Sequence, residues 1–343
     1  MSTTPQAATT NRIAPAAASM QAVTQDHYGS AEVLHYTTVT RPVPGENDVL
    51  IRVRAAGVHI GDWHLMTGQP YLMRIMGFGL RAPRSRVRGT DVAGTVVGVG
   101  AHVTGVRTGD EVFGTCDGSY AEYATARPGT LAPKPTNLSF EQAAAVPTSA
   151  VTALTAVRDG GHVTAGQQVL VIGASGGVGL FAVQIAKALG AEVTGVCSTT
   201  KVALVRAVGA DHVLDYTEED FSSNGLKYDV IIDLGGTRAL SQLRRSLTPR
   251  GTLVLVGGEG GGRWIGGAMG RSLRALLLSP FVTQKLRMIL ATAKSRDLQT
   301  LAELIDGGKV TPVIDTTYPL SDVPDAIRRM HTGQAHGKLA IVV

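Results

Sequence analysis

Residues 169–179 read Val-Leu-Val-Ile-Gly-Ala-Ser-Gly-Gly-Val-Gly, and no other stretch constrains the fold as tightly. Four consecutive apolar residues suit a strand buried on both faces. From Val178 the spacing becomes helical, with Val178, Ala182, Ile185 and Leu189 on one side and Gly190 where such a helix would end. A strand that turns into a helix through small residues presents backbone N–H groups and the positive helix end to a phosphate. Ala174, Gly176 and Gly179 fill the three small positions of the G-x-G-x-x-G dinucleotide fingerprint, and Ser175, Gly177 and Val178 complete the cradle.

The next run, Glu192-Val193-Thr194-Gly195-Val196-Cys197, predicts a second strand, followed by Ser198-Thr199-Thr200-Lys201. NAD-specific folds place a carboxylate at the end of this strand to hold the ribose hydroxyls. No acidic residue stands anywhere from Val193 to Ala210. Ser198 and Lys201 suit a 2′-phosphate, which a carboxylate would repel. The expected cofactor is therefore NADPH, against the alternative that Lys201 is only a solvated first-turn residue.

A chain of 343 residues exceeds the usual limit of one hydrophobic core, and its 44% hydrophobic content can supply two. The formal charge of +5 fits anionic ligands, and no basic block interleaves with aromatics, so no nucleic-acid partner is expected. Cys116 and Cys197 are too few for a disulfide framework or a zinc knuckle, and a reducing, cytoplasmic setting is expected. Residues 1–19 are rich in Ala, Thr and Pro, contain one arginine and lack a continuous apolar region, so they read as a disordered leader. No stretch reaches about 18 uninterrupted apolar residues, so no membrane span, and no membrane partner, is expected.

Before about residue 144 short runs alternate with Gly and Pro: Asp48–Val53, Val92–Val99 and Gly109–Gly114. These predict a compact β-barrel-type unit. From about Phe140 helices and strands alternate, through Tyr228–Asp233, Arg238–Leu247 and Thr252–Val256, which predicts a doubly wound parallel sheet. The chain ends in a strand-like run, Leu339–Val343, whose simplest partner lies in the first unit.

At this point the chain resembles the medium-chain dehydrogenase/reductase superfamily, in its zinc-independent quinone oxidoreductase-like branch. The resemblance covers Met20 to Val343. It rests on Gly109-Asp110-Glu111-Val112-Phe113-Gly114, Ala144-Ala145-Val146-Pro147 with Thr152-Ala153, the fingerprint ending Gln184–Ala191, Gly209-Ala210-Asp211 and Pro249-Arg250-Gly251. It implies an α/β fold: a GroES-like substrate domain over 20–143, completed by 283–343, and a Rossmann domain over 144–282, with the active cleft between them. A homodimer is a quaternary state the resemblance allows.

In zinc-dependent relatives a Cys, a His and a Cys hold the catalytic metal. The corresponding positions here are His59, Thr90 and Thr148, and the four cysteines of a structural zinc loop are absent. The resemblance therefore implies no metal. Hydride addition to a quinone or an α,β-unsaturated carbonyl, a small hydrophobic substrate, needs only hydrogen-bond donors for the oxygen that gains charge. Two alternatives stay open: an enoyl-thioester reductase, whose carrier phosphate would meet Arg74–Arg88, and a non-catalytic, crystallin-like NADPH-binding protein.

Several cofactor positions follow from the resemblance. Lys201 and Tyr216 match the lysine and tyrosine that hold the 2′-phosphate. Thr152, expected to open the helix leading into the Rossmann domain, matches a threonine near the nicotinamide. Gly235, Val256 and Gly257 end strands at the cofactor edge, and Lys338 resembles a further contact. On the substrate side His59 and His64 replace the branch's asparagine and tyrosine, and Tyr71 lies one position from a second pocket tyrosine. These three are the candidate hydrogen-bond or proton donors, with Asp62 orienting their loop. Residues 71–88, apolar then basic, read as a lid over the cleft or as a solvated basic loop. Gly257–Gly270, around Trp264, reads as a flexible border of the same cleft.

Overall fold

The computed structural model describes residues 18–257 and 267–343. In chain order its strands are β1 (Ser19–Thr24), β2 (His35–Thr40), β3 (Val49–Val58), β4 (Asp91–Val99), β5 (Glu111–Thr115), β6 (Tyr123–Ala126), β7 (Leu131–Pro133), β8 (Gln168–Ile172), β9 (Glu192–Cys197), β10 (His212–Asp215), β11 (Tyr228–Asp233), β12 (Leu247–Leu255), β13 (Lys285–Met288), β14 (Ile314–Pro319) and β15 (Lys338–Val342). The α-helices are α1 (Ile60–Thr67), α2 (Phe140–Ala144), α3 (Pro147–Leu154), α4 (Gly177–Ala188), α5 (Val202–Ala207), α6 (Leu240–Ser246), α7 (Gly267–Leu278), α8 (Ser295–Asp306) and α9 (Val323–His331).

Strands β10-β9-β8-β11-β12-β13, in that order, form a wholly parallel sheet. Its continuous apolar runs follow from coverage on both faces. Val169 and Val171 of β8, Val230 and Ile232 of β11 and Val254 of β12 share a core with Phe181 and Ile185 of α4 and Leu298 and Leu301 of α8. Leu170, Ile172, Ile231, Leu253 and Leu255, one residue out of phase, face a second core with Leu243 of α6 and Phe221.

The second sheet runs β14-β15-β3-β4-β5-β7, with β6 also paired to β3 and a separate β1-β2 hairpin beside it. In β3, buried Ile51 and Val53 alternate with exposed Arg52 and Arg54, the pattern of a sheet with one wet face. The alternation then stops at Ala55, because α2 lies directly on the strand. A Cβ added at Gly57 would sit 2.3 Å from the Ala144 carbonyl oxygen and 3.0 Å from Asp91 Cβ. The last strand, β15, pairs antiparallel with β3, Leu339 opposite Val58, so the C-terminus closes on the first unit as expected.

Several expectations need correction. The parallel sheet continues past residue 282 to β13, where Leu286 pairs with Leu253 of β12. This four-residue edge strand is too short for its alternation to stand out from the loop around it. Thr152 is the sixth residue of α3 and does not open it. Leu189 leaves the buried face of α4 and caps its C-terminus half exposed, since the helix stops at Ala188. Gly267–Gly270 begin α7, while Trp264 and residues 258–266 lie outside the described residues, as do 1–17 of the expected leader. Ser19 already belongs to β1, paired with Thr40.

Candidate active site

The glycine fingerprint divides into packing and surface positions. The amides of Gly173 and Ala174 both donate to Val196 O of β9, at 3.1 and 3.0 Å, and Gly173 needs its left-handed φ of 82° to make the turn. Ala174 and Gly179 are buried beneath it. A Cβ at Gly179 would lie 2.1 Å from Gly173 O and 2.7 Å from Ala174 Cα, so only glycine lets α4 begin directly against the strand end. Gly176 is exposed, and Ser175, Gly177 and Val178 are half-buried around the helix N-terminus. A phosphate can therefore approach the backbone there without meeting a side chain. Across the crevice Gly235 follows β11, and its amide nitrogen lies 3.4 Å from where a Gly173 Cβ would stand. The Val256 amide donates to Asp233 O at 3.1 Å. Arg271 of α7 ion-pairs at 2.8 Å with the fully buried Asp233 and reaches Gly257 O at 3.5 Å. Sequence reasoning missed Arg271, which shares α7 with a second arginine, Arg274, and carries no local pattern that sets it apart.

At the ribose end β9 and β10 run in parallel register, Cys197 beside Asp215, which makes Ser198 and Tyr216 the next residues on neighbouring strands. Tyr216 is half-exposed and its amide donates to Cys197 O at 3.0 Å. The Lys201 ammonium donates to Gly333 O at 2.9 Å and Ala335 O at 2.8 Å, which ties it to the loop before β15. Burial pushes the Lys201 pKa down, opposed by Asp315 and Cys197. Asp215, also unforeseen here, is satisfied by the Thr217 amide and hydroxyl at 2.9 and 2.7 Å, and its pKa is held down first by the Thr199 hydroxyl.

The substrate side is an open cleft of about 730 Å³, lined among others by His59, His64, Met73, Phe78, Thr90 and Thr148. Three positions that are distant in sequence meet in it. His59 caps α1, Thr90 immediately precedes β4, and Thr148 lies in the first turn of α3. The Gly61 amide donates to His59 Nδ1 at 3.1 Å, which makes Nε2 the protonated nitrogen that donates to Thr90 Oγ1 at 2.7 Å. Asp62 orients the loop as expected, accepting the His59 amide at 2.9 Å. His64 Nδ1 lies 2.9 Å from Gln69 O, so Nδ1 carries a proton. Tyr71 does not join the cleft lining, and its ring lies 4.6 Å from the Arg74 guanidinium. Thr152 Oγ1 donates back to Thr148 O at 2.7 Å.

Beneath these groups lies a buried charged cluster. Asp91 is fully buried and accepts the Thr148 amide at 3.1 and 3.2 Å as well as its hydroxyl, a carboxylate set at the positive end of α3. Burial raises the Asp91 pKa, against His59, Lys338 and the Thr148 hydrogen bond, which lower it. Lys338, delivered by β15, donates to Val58 O and Ser149 Oγ, each at 2.8 Å. Burial lowers its pKa, with Asp91 and Asp62 opposing. A Cβ at Gly177 would come within 3.1 Å of Lys338 Cδ, so this lysine lies under the first turn of α4 with its ammonium engaged by protein oxygens. Among the described residues no group of three His, Cys, Asp or Glu is placed to hold a metal.

A parallel-sheet nucleotide unit joined at a cleft to a GroES-like sheet defines a dehydrogenase-type oxidoreductase fold. The alcohol dehydrogenase GroES-like domain profile matches residues 45–136, and the zinc-binding dehydrogenase profile matches 208–341. The chain is 35% identical to a mitochondrial NAD(P)H oxidoreductase of Mus musculus, over 93% of this chain and 88% of the relative. It is 31% identical to a chloroplast envelope quinone oxidoreductase homolog of Arabidopsis thaliana, over 94% and 98%. Among solved structures, the quinone oxidoreductase from Coxiella burnetii superposes with a TM-score of 0.83 at 29% identity, covering 95% of this chain and all of that one. The chain belongs to the medium-chain dehydrogenase/reductase superfamily, in its quinone oxidoreductase-like branch, and is an oxidoreductase. Among the described residues no helix is long and apolar enough to cross a membrane.

Proposed function

We propose that the protein is an NADPH-dependent, zinc-independent reductase of quinones or α,β-unsaturated carbonyls, working in the cytoplasm. The observation that carries this is the convergence of His59, Thr90 and Thr148 on the cleft. The set offers one imidazole, already bonded through Nε2 to Thr90, and two hydroxyls, and this donor set does not fit a tetrahedral zinc. Without a Lewis acid, an acceptor that spreads charge onto a remote oxygen is the substrate such donors can serve. A nicotinamide dinucleotide fits the glycine cradle, where exposed Gly176 leaves the helix N-terminus open to a phosphate. When bound, it supplies the hydride.

The chain's own residues then have distinct tasks. Thr90 accepts from His59, which leaves its hydroxyl proton to donate to a substrate oxygen. His59 positions Thr90, and His64, whose Nδ1–H is held by Gln69 O, can first take a proton on Nε2 and then, as imidazolium, pass it to the substrate. Asp91 holds Thr148 and the start of α3 against the cleft wall. Lys201, with Ser198 and Tyr216 beside it, provides the cation for a 2′-phosphate. The names of the mouse and Arabidopsis relatives support an NAD(P)H-linked oxidoreduction with a quinone among the substrates, although both are organellar and lend nothing to the cytoplasmic location.

Stopped-flow mixing of NADPH-loaded protein with panels of quinones, enones and enoyl-CoA tests the proposal. Consumption of reduced cofactor with a quinone or enone is expected. Selective turnover of enoyl-CoA would replace the proposal by thioester reduction, and tight binding without any turnover by a non-catalytic role.

A further inference from the structure

Between Asp62 and Asp91 the chain carries five arginines, at 74, 81, 84, 86 and 88, and no acidic residue. The loop over 71–84 within this stretch exposes large apolar side chains. Ile75 is 70% exposed, Met76 64% and Leu80 69%. An exposed cluster of this kind is uncommon on a soluble surface and marks an interaction site.

The exposure does not come from a loose loop, because its base is clamped. Arg74 donates to Gly68 O at 2.8 Å and Thr67 O at 3.2 Å, while its guanidinium lies 4.3 Å from the Tyr28 ring and 4.6 Å from the Tyr71 ring. The single Tyr28 Oη proton is shared between Phe78 O and Gly79 O, at 2.9 and 2.7 Å. The apolar side chains are thus displayed from a fixed base. Arg86 is paired with Asp26 and Arg88 is buried, which leaves the exposed Arg81 and Arg84 with no acidic partner among the described residues. The same loop supplies Met73 and Phe78 to the wall of the substrate cleft.

We propose that this loop docks the protein on the surface of an anionic lipid bilayer, with Ile75, Met76 and Leu80 entering the interfacial region and Arg81 and Arg84 on headgroup phosphates. Apolar residues flanked by unpaired cations match the layering of a bilayer surface, where acyl chains lie beneath a negative headgroup plane. The occupant is a lipid surface, because charge complementarity requires a broad anionic layer over an apolar one. Such docking needs no spanning segment, and it replaces the expectation that no membrane is a partner. Its consequence rests on the proposed function: the cleft mouth opens beside the bilayer, so the substrate class is a lipid-dissolved quinone or enone.

Flotation of the full chain with phosphatidylcholine vesicles, with and without phosphatidylglycerol, tests the docking. Binding is expected only with phosphatidylglycerol. It should weaken by about 5-fold for each of Arg81→Gln and Arg84→Gln and be abolished in the triple variant Ile75→Ser/Met76→Ser/Leu80→Ser. Equal affinity for neutral and anionic vesicles, no binding to either, or concentration-dependent self-association that the triple variant abolishes would each overturn the proposal. The last outcome would assign the loop to a second copy of the chain. Turnover of a water-soluble quinone separates the two levels. The triple variant should keep it and lose turnover of a vesicle-dissolved quinone, whereas absence of turnover of either quinone by the parent chain, with its vesicle binding intact, would refute only the reductase reading.

Discussion

Gly179 and Gly176 lie three residues apart in one fingerprint, yet they should fail in different ways when each is changed to alanine. At Gly179 the new methyl would meet Gly173 O at 2.1 Å and Ala174 C and Cα at 2.7 Å, all backbone atoms that no rotamer change can move aside. Roughly 1 Å must be opened between the start of α4 and the end of β8, in a core where overpacking costs about 1–3 kcal/mol. For a cooperative unit of this size that corresponds to a fall in Tm of about 2–12 °C. At Gly176 the methyl would meet only Gly173 O, at 3.3 Å, a contact that relaxes within a few tenths of an ångström. Gly176→Ala should melt within about 2 °C of the parent but place a methyl where a pyrophosphate must touch the backbone. Thermal denaturation with and without NADPH separates the two: Gly179→Ala lowers the apo Tm, whereas Gly176→Ala keeps the apo Tm and loses the cofactor-induced rise. A Gly179→Ala variant as stable as the parent would refute the close approach of helix and strand. A full cofactor-induced rise in Gly176→Ala would refute the assignment of this turn to the pyrophosphate.

Three further outcomes are expected. Lys201→Ala should weaken NADPH binding by about 10- to 100-fold, the worth of one hydrogen bond to a charged group, and leave NADH nearly unchanged. Titration with both cofactors checks this, since loss of the tether to Gly333 and Ala335 would affect them equally. His64→Gln should lower turnover by at least about 10²-fold with little change in KM, and His59→Asn less, because His59 acts through Thr90. Lys338→Met should destabilise the fold by about 1–3 kcal/mol at neutral pH, by leaving the buried Val58 O and Ser149 Oγ without their donor. The folded Lys338 pKa lies below its ordinary 10.5, so its contribution to stability is present above 10.5 and lost as pH falls through the folded value. The variant should therefore lack this alkaline rise in Tm. Asp91 has the opposite sign: its folded pKa lies above 3.8, so its contribution is lost as pH rises through the folded value.

The nucleotide half of this protein was legible because its determinants are local. Val169–Ile172 must be buried on both faces, and Gly173, Gly176 and Gly179 answer to turn and contact geometry within about ten residues, so β8, α4, β9 and β11 follow from periodicity and punctuation alone. That His59, Thr90 and Thr148 bring one imidazole and two hydroxyls was likewise visible, since it concerns which atoms the side chains carry. Edge strand β13 and the start of α3, five residues before Thr152, were not, because short segments take their bounds from neighbouring elements and not from their own pattern.

Only the tertiary structure decided what the side chains do with their partners. Register between β15 and β3 places Lys338 against Val58 and Ser149 instead of at an open surface. The fold turns Tyr71 to Arg74 rather than into the cleft, and it ties Lys201 to carbonyls 132 and 134 residues further along the chain. The Gly61 amide fixes the His59 tautomer, which divides the roles of two histidines that look equivalent in sequence. Sequence determines locally which chemistry a residue carries. Which proton, charge or apolar face is left unspent depends on contacts between distant segments, and those exist only once the chain has folded.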